Sequence, residues 1–327
     1  MKRQITERVN SWQAVILICL LILLIFVPFW GGHFIVYLIT YALIYGIFAL
    51  AYDLVFGYTG MISLGHGIFF GCAAYLTAIL VKVSGVTDPF IIFGGAIALG
   101  AVLGLFIGYF STFVRGVYVV LITFVFAELF WLLNLANPGG LTWGESGITG
   151  FRPSPLFGGT GLYYLSLGIF IVSFLIIRAI VNSQLGDILK GVRENEDRLL
   201  SLGYNTRQYK IFAFVISGAF SAVAGVLMAF VMNAVGPSLL AWHTGADILV
   251  ITVLGGPGTL IGPVVAAFVV IFAKFYACSW IGAGNWVYLL GAIYIGVVMF
   301  LPGGIFNTPK IASLVKTRKA LFIKRGL

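Results

Sequence analysis

The sequence predicts an all-α protein: a polytopic bundle of about 8–10 transmembrane helices, one of them broken. Two observations support this class. Of the 327 residues, 61% are hydrophobic and 9% are charged, whereas a soluble globular domain is about 45–50% apolar and about 25% charged. The apolar residues also form runs of about 20 residues, the length that a helix needs to cross the hydrocarbon core. The composition therefore excludes soluble enzymes, secreted disulfide scaffolds and disordered chains.

Nine apolar runs of spanning length are separated by glycine, proline or charged residues. They cover residues 13–30, 34–56, 61–82, 90–111, 117–136, 162–182, 211–232, 261–279 and 286–303. A tenth, shorter run over 247–254 leads into 255–263, where two prolines and four glycines prevent a regular helix. Irregular backbone at membrane depth persists only inside the protein or beside a water-filled cavity. We therefore predict a broken half-helix at this point.

The positions of Lys and Arg predict the orientation in the membrane. Cytoplasmic loops carry an excess of both residues. If the N-terminus is cytoplasmic and the number of crossings is even, every Lys and Arg except Lys82, Arg152 and Lys274 faces the cytoplasm. Topology thus accounts for the net charge of +9, and we expect no nucleic-acid partner. The prediction is a single membrane domain over 1–327, with a transmembrane core over 12–306, a cytoplasmic loop over 183–210 and a basic cytoplasmic tail over 307–327.

Two polar loops stand out between the apolar runs. The outer loop, 137–161, is rich in Gly, Pro, Ser and Thr, which predicts a cap built from turns. The inner loop has apolar residues at near-helical spacing, which predicts an amphipathic helix that presents this face to a partner. These residues are Leu185, Ile188, Val192, Leu199 and Leu202. A helix lying in the lipid headgroups is the alternative, although the alternating charges of 193–198 favour a protein partner.

Small residues recur on one face of a predicted helix. Gly100, Gly104 and Gly108 are spaced four residues apart. Residues at this spacing share a helix face, and glycines there allow a neighbouring helix to approach closely. We therefore predict that this stripe is a packing surface.

The sequence carries no recognisable catalytic or metal site. The phosphate-loop pattern is absent, and the dipeptide Gly-Lys does not occur. The three histidines lack the spacing of metal ligands. Residues 144–147 match the G-x-S-G pattern of intramembrane serine proteases, but Ser146 lies in the outer loop without a suitable histidine. We therefore predict that the chain is not an enzyme and holds no catalytic residue, cofactor or metal, with an intramembrane hydrolase as the disfavoured alternative.

Four polar residues within the predicted spans are candidates for a translocation path: Asp53, Ser63, His66 and Glu128. Ionisable groups in a bilayer are costly, so they usually line a pathway or pair with each other. Glu128 is the clearest, since it lies near the middle of the run over 117–136. Structural alternatives remain open: a hinge at His66, which has glycines on both sides, and helix-packing hydrogen bonds for Asp53 and Glu128.

Several sequence blocks resemble one family. Residues 57–75, GYTGMISLGHGIFFGCAAY, look like a characteristic block of the membrane permeases of branched-chain amino acid ABC importers. Further matching blocks follow in the same order. They lie at 115–118, 123–128, 186–205, 209–218 and 253–263. The resemblance extends over about 42–306 and is to the "M" type of the two permease subunits.

The resemblance implies a permease subunit that forms half of the translocation path for leucine, isoleucine and valine. It also implies four kinds of neighbour: a second permease subunit in a heterodimer, two cytoplasmic ATPase subunits that bind ATP and Mg²⁺, an extracytoplasmic solute-binding protein and the lipid bilayer. The location implied is the inner or plasma membrane of a prokaryote, with both termini cytoplasmic. Urea, amides or aromatic compounds are alternative substrates, and a stand-alone secondary carrier is the alternative from another class.

In this family the segment over 183–205 would be the coupling segment that docks on an ATPase. The candidate coupling residues are Gly186, Val192, Arg193, Glu194, Asn195, Glu196, Leu199 and Gly203. Related permeases carry the pattern E-A-A followed three residues later by glycine. Here Asp197-Arg-Leu199 precedes Gly203, so the acid and the glycine keep their spacing but both alanines are replaced.

Overall fold

The computed structural model describes residues 24–151 and 159–281, together with positions 288, 291, 292, 295 and 304. Residues 24–30 are helical, and nine further helices lie in the two continuous ranges. They are α1 His33–Thr59, α2 His66–Lys82, α3 Pro89–Ser111, α4 Val117–Ala136, α5 Thr160–Val181, α6 Gln184–Ser201, α7 Thr206–Met232, α8 Trp242–Gly255 and α9 Ile261–Ile281. The predicted all-α class is confirmed. Most of the predicted run over 13–30 and nearly all of 286–303 lie outside the described residues.

Six of these helices are long and apolar enough to cross a bilayer: α1, α3, α4, α5, α7 and α9. Two shorter apolar helices, α2 and α8, lie among them. The predicted run over 61–82 begins later than expected. The reason is that Gly60 ends α1 with a left-handed backbone (φ 75°) and residues 60–65 form a connection before α2.

The centre of the bundle is formed by α1 and α7, each of 27 residues. α7 packs against α1, α2 and α3, and α1 also packs against α5 and α9. The largest side chains of this core are fully buried aromatic rings, and Phe48 of α1 stacks on Phe70 of α2 with 4.8 Å between ring centroids. Nearly every side of α1 is apolar, as is typical of a helix surrounded by other helices.

The glycine stripe of α3 packs against α7, which confirms the predicted packing surface. Gly100 and Gly218 lie backbone to backbone, and neither position has room for a side chain. A Cβ atom on Gly104 would lie 2.5 Å from the carbonyl oxygen of Phe214. Close backbone approach of this kind increases the van der Waals contact that holds membrane helices together.

The outer loop folds into a small cap. It contains a 3₁₀ turn over Gly144–Ser146 and a two-residue strand, β1 Ile148–Thr149, which pairs antiparallel with β2 Ala234–Val235 after α7. Lys82 at the end of α2 donates to the Thr149 carbonyl oxygen at 2.7 Å. The prediction of a cap built from turns is confirmed for 137–151, while 152–158 lie outside the described residues.

The broken element is also present. α8 ends at Gly255, and the backbone of 256–260 is irregular, with positive φ at Gly256, Gly258 and Leu260, before α9 begins. α8 begins at Trp242, five residues earlier than the predicted run. A 3₁₀ turn over Pro237–Leu239 precedes it and packs against α2.

We expect Gly104→Val to lower the free energy of unfolding by about 1–3 kcal/mol, because the added side chain would collide with the backbone of α7. Gly94→Val is the matched control in the same helix, since a Cβ atom there meets no neighbour within 4 Å. Thermal unfolding of both variants in one detergent would test this. Equal loss of stability in both would contradict the packing role of the stripe.

Candidate functional site

A buried polar network surrounds His66 at the start of α2. The side chains of Ser63, His66 and Ser217 are all fully buried. His66 Nδ1 lies 2.9 Å from Ser63 Oγ, and His66 Nε2 lies 3.0 Å from Ser217 Oγ. Ser217 donates its single hydroxyl hydrogen to the Ala51 carbonyl oxygen at 2.6 Å. We therefore assign the neutral tautomer in which Nε2 donates to Ser217 and Nδ1 accepts from Ser63.

The same network fixes the connection between α1 and α2. The Tyr52 hydroxyl donates to the Ser63 carbonyl oxygen at 3.0 Å, and the Leu64 amide donates to Thr123 Oγ1 of α4 at 3.1 Å. Two helices, α1 and α4, thus satisfy the backbone of an irregular segment. This placement gives Ser63 and His66 a structural role in holding the connection. Their role in a translocation path stays a prediction.

Asp53 has a comparable role at the broken element. Its carboxylate is fully buried in α1. Oδ1 accepts from the Gly258 amide at 2.7 Å, and Oδ2 accepts from the Leu260 amide at 3.2 Å. The break leaves these amides without helical partners, and a buried amide without a hydrogen bond is costly. Asp53 therefore stabilises the break, and its role in a translocation path also stays a prediction.

Glu128 differs from the other three candidates. It is half-buried on α4, a helix that packs loosely against the rest of the bundle. No other side chain of the described ranges forms a hydrogen bond or an ion pair with it. A carboxylate in this position is available to a group outside the chain. Glu128 is therefore the candidate whose geometry best suits a translocation path, and that role stays a prediction.

The predicted amphipathic helix of the inner loop is α6, and its buried side faces the bundle of the same chain. Gly186, Leu189 and Val192 are buried against α1, α5 and α7 of the same chain. The predicted face is divided: Val192 is buried at 6% exposure, Leu185, Ile188 and Leu199 are half-buried, and Leu202 is 67% exposed. The expectation that this face is presented to a partner is therefore wrong for Val192, and docking by the rest of the segment stays a prediction.

The outward side of α6 is mainly polar. Its exposed residues include Glu194, Asn195, Asp197, Arg198 and Leu200. Asn195 interrupts the helix with an extended backbone (φ −162°, ψ 98°), and its Oδ1 accepts from the Arg198 amide at 3.0 Å, as an N-cap does. Gly203, with φ 88°, follows the end of the helix. Leu199 packs back toward Gly191 across the interruption.

Glu196 fastens the second half of α6 to the bundle. Its Oε1 accepts from Lys210 Nζ at 2.5 Å and from Thr206 Oγ1 at 2.9 Å. Arg115, in the connection between α3 and α4, lies 3.8 Å away and also pairs with Asp197 at 3.0 Å. Partial burial alone would raise the pKa of Glu196, but the Lys210 and Thr206 hydrogen bonds and the two positive charges hold that pKa below its ordinary value.

Several partners in these contacts were not singled out in the sequence. Lys210 is buried at the entry of α7, and a lysine there could have been suspected because it follows an acidic segment at the edge of a span. Ser217 and Gly258 gave no such signal. Their importance depends on contacts with residues 151 and 205 positions away.

We expect Ser217→Ala to destabilise the protein by about 1–3 kcal/mol, because it leaves the buried His66 Nε2 hydrogen without an acceptor. Ser221→Ala is the matched control one turn further along α7. Its hydroxyl is buried and has no hydrogen-bond partner in the described ranges, so its removal should be nearly neutral. Unfolding of the two variants in detergent would compare them. A neutral Ser217→Ala would contradict the assigned network.

We expect the stabilising effect of Glu196 to depend on pH. A carboxyl group with a lowered pKa in the folded protein contributes fully above its ordinary value of 4.5, and the contribution is lost as the pH falls through the folded value. Glu196→Gln should therefore lower the Tm at pH 7, and the difference from wild type should shrink below pH 4.5. Glu194→Gln, at an exposed site, is the control. A difference that is independent of pH would argue against the ion pair.

Comparisons with known proteins agree with the fold. The family model described as "Branched-chain amino acid transport system / permease component" matches residues 34–301. The chain is 27% identical to the LivM permease protein of Escherichia coli K12, over 96% of this chain and 78% of LivM. It is 25% identical to BraD of Pseudomonas aeruginosa PAO1, over 83% of this chain and 93% of BraD. It is also 25% identical to LivH of Escherichia coli K12, over 83% of this chain and 92% of LivH.

No solved structure matches the chain. The matched family region extends from Phe34 in α1 to beyond the end of α9 and therefore contains every contact described above. With six helices apolar enough to cross a bilayer, the chain is a multi-pass membrane protein, and it belongs to the family of permease components of branched-chain amino acid transport systems.

Proposed function

We propose that this chain forms half of the translocation path of an ATP-driven importer for leucine, isoleucine and valine. The observation that carries the proposal is α6. It is a helix outside the spanning segments, fastened to the bundle by its apolar face and by Glu196, with a polar side left open. A carrier that works alone has no need for a rigid docking helix. The relatives named above are described as high-affinity branched-chain amino acid transport permeases.

The orientation that we propose places α6 in the cytoplasm. Arg115 and Lys210 pair with residues of α6 at one end of the bundle. Lys82, the last residue of α2, contacts the cap at the other end. An excess of positive residues at the α6 end is typical of the cytoplasmic side. Both termini would then be cytoplasmic, in the inner or plasma membrane of a prokaryote.

The proposed partners follow from the exposed surfaces. The open side of α6 would dock on one of two ATPase subunits, which would bind ATP and Mg²⁺ and carry out the hydrolysis. A second permease subunit, in a heterodimer, would pack beside the loosely held α4, so that Glu128 lies close to the path. The cap over 137–151 would receive an extracytoplasmic solute-binding protein. In this arrangement the chain itself catalyses no reaction.

Few ionisable side chains are needed on such a path. Leucine, isoleucine and valine are apolar apart from the backbone ammonium and carboxylate groups. The force for accumulation would come from ATP, so no relay of acidic residues across the spans is required. Transport driven by a proton gradient would instead need several buried carboxylates or histidines in series.

We expect the wild-type chain to co-purify with an ATPase from mild detergent and to support ATP-dependent uptake of labelled leucine by cells. The double change Glu194→Arg with Leu200→Asp alters only the exposed side of α6. It should abolish co-purification and uptake while leaving the chain folded. Glu145→Arg in the 3₁₀ turn of the cap is the control for co-purification with the ATPase, since it reverses a charge at the opposite end.

Two results would contradict the proposal. One is the absence of any ATPase from freshly solubilised native membranes. The other is leucine uptake that resists depletion of ATP but collapses with the proton gradient. Together they would favour a stand-alone carrier.

A further inference from the structure

We propose that Arg193 and Asp53 form a joint that transmits movement of α6 to the break between α8 and α9. The inference rests on the proposed function, because it assigns these two residues as positioning residues for coupling. Neither residue needs to touch the transported solute. The two contact different sides of one short stretch of irregular backbone.

Arg193 occupies a slot lined by glycines. Its Nη1 donates to the Gly57 carbonyl oxygen in the last turn of α1. A Cβ atom on Gly60 would lie 3.3 Å from Arg193 Cγ, and one on Gly258 would lie 2.9 Å from Arg193 Nη1. Any side chain at these glycines would therefore compete with the arginine for space. The last carbonyl groups of a helix lack helical partners and carry partial negative charge, so a guanidinium is favoured there.

Asp53 holds the opposite side of the same backbone. One turn before Gly57, its carboxylate accepts the amides of Gly258 and Leu260. A Cβ atom on Gly57 would overlap both Asp53 Oδ1 and the Gly258 amide. The positive charge of Arg193 also interacts electrostatically with the Asp53 carboxylate. The end of α1, the break and the arginine of α6 therefore meet within a few ångströms.

The break is stiff within itself. Thr259 Oγ1 donates to the Gly256 carbonyl oxygen at 2.7 Å and accepts from the Gly262 amide at 3.2 Å. Gly255 and Gly262, at the facing ends of α8 and α9, lie backbone to backbone. A displacement applied at Gly258 would consequently move the ends of both helices instead of being absorbed by a flexible loop.

The second half of α6, beyond the interruption, is held by different residues. Beyond the interruption at Asn195, Glu196 ties the helix to Lys210 of α7. Arg193 lies just before the interruption and contacts α1 and the break. A force on the exposed side of α6 therefore acts on two attachment points, Arg193 and Glu196. Of these two, Arg193 is the one that contacts the break between α8 and α9. Discontinuous helices form the solute sites of many transporters.

The test uses the complete importer in membrane vesicles, with uptake of labelled leucine and ATP hydrolysis measured together. We expect Arg193→Gln and Asp53→Asn to lower uptake about tenfold or more while basal hydrolysis continues, which is the size of a typical coupling between two sites. Arg193→Lys keeps the positive charge and should recover part of the uptake. Arg178→Gln is the control, since it removes a basic charge at the end of α5, outside the slot.

A second measurement does not depend on the transported solute. The three native cysteines are replaced by alanine, and Pro257→Cys, at a half-buried position of the break, is labelled with a thiol reagent. In the wild-type background, ATP should change the labelling rate. In the Arg193→Gln background, the complex should still bind the ATPase, but the labelling rate should not respond to ATP.

The outcomes distinguish a failure of the proposed joint from a failure of the proposed substrate. Absence of leucine uptake by the unaltered importer would contradict the substrate, but the labelling response would still report on the joint. The joint is overturned if ATP leaves the labelling rate of the break unchanged in the wild-type background. It is equally overturned if the response is the same size with Arg193→Gln.

Discussion

The constraint on which this structure depends is that a bilayer offers no hydrogen-bond partners to irregular backbone. At two places in the described ranges where the chain leaves a helix inside the bundle, another part of the chain supplies the missing partners. Asp53 does so for the amides of Gly258 and Leu260, and Tyr52 and Thr123 do so for the connection after α1. Of the four polar residues singled out within the spans, Asp53 and Ser63 bond backbone amides, and His66 is joined to Ser63 and Ser217 by its ring nitrogens.

The helices were predictable because each spanning run is apolar on nearly every side, so run length alone locates it. Most boundaries agree within a few residues, and the exceptions lie where a local conformation decides, as at Gly60 and before Trp242. Side-chain pairing was not predictable in the same way. An amphipathic pattern shows that α6 has an apolar face, but it does not show what covers that face. Here α1, α5 and α7 cover it, and the pattern would have been identical had a partner done so.

The residues of the site were predictable from the sequence, whereas the roles of those residues were not. His66 between two glycines attracted notice as a hinge or a solute contact, and its actual partner Ser217 is 151 residues away. Asp53 and Arg193 were both identified, one as a polar residue within a span and the other within a charged loop. Nothing local joins them, because their association requires Gly57, Gly60 and Gly258 to leave a slot. A glycine that makes room for a distant side chain has no local sequence signal different from a glycine in a turn.

The described helices differ in how firmly they are held to one another. The contacts of α3 and α7 at the glycine stripe are backbone to backbone and leave no freedom for sliding. Arg193 and Glu196 attach α6 through long charged side chains, which can keep their hydrogen bonds while the backbone shifts. α4 is held least, and it carries Glu128, a carboxylate without a partner in the described ranges. Because leaving such a group unpaired in a bilayer is costly, a complete assembly would be expected to supply water, solute or a neighbouring subunit at that position.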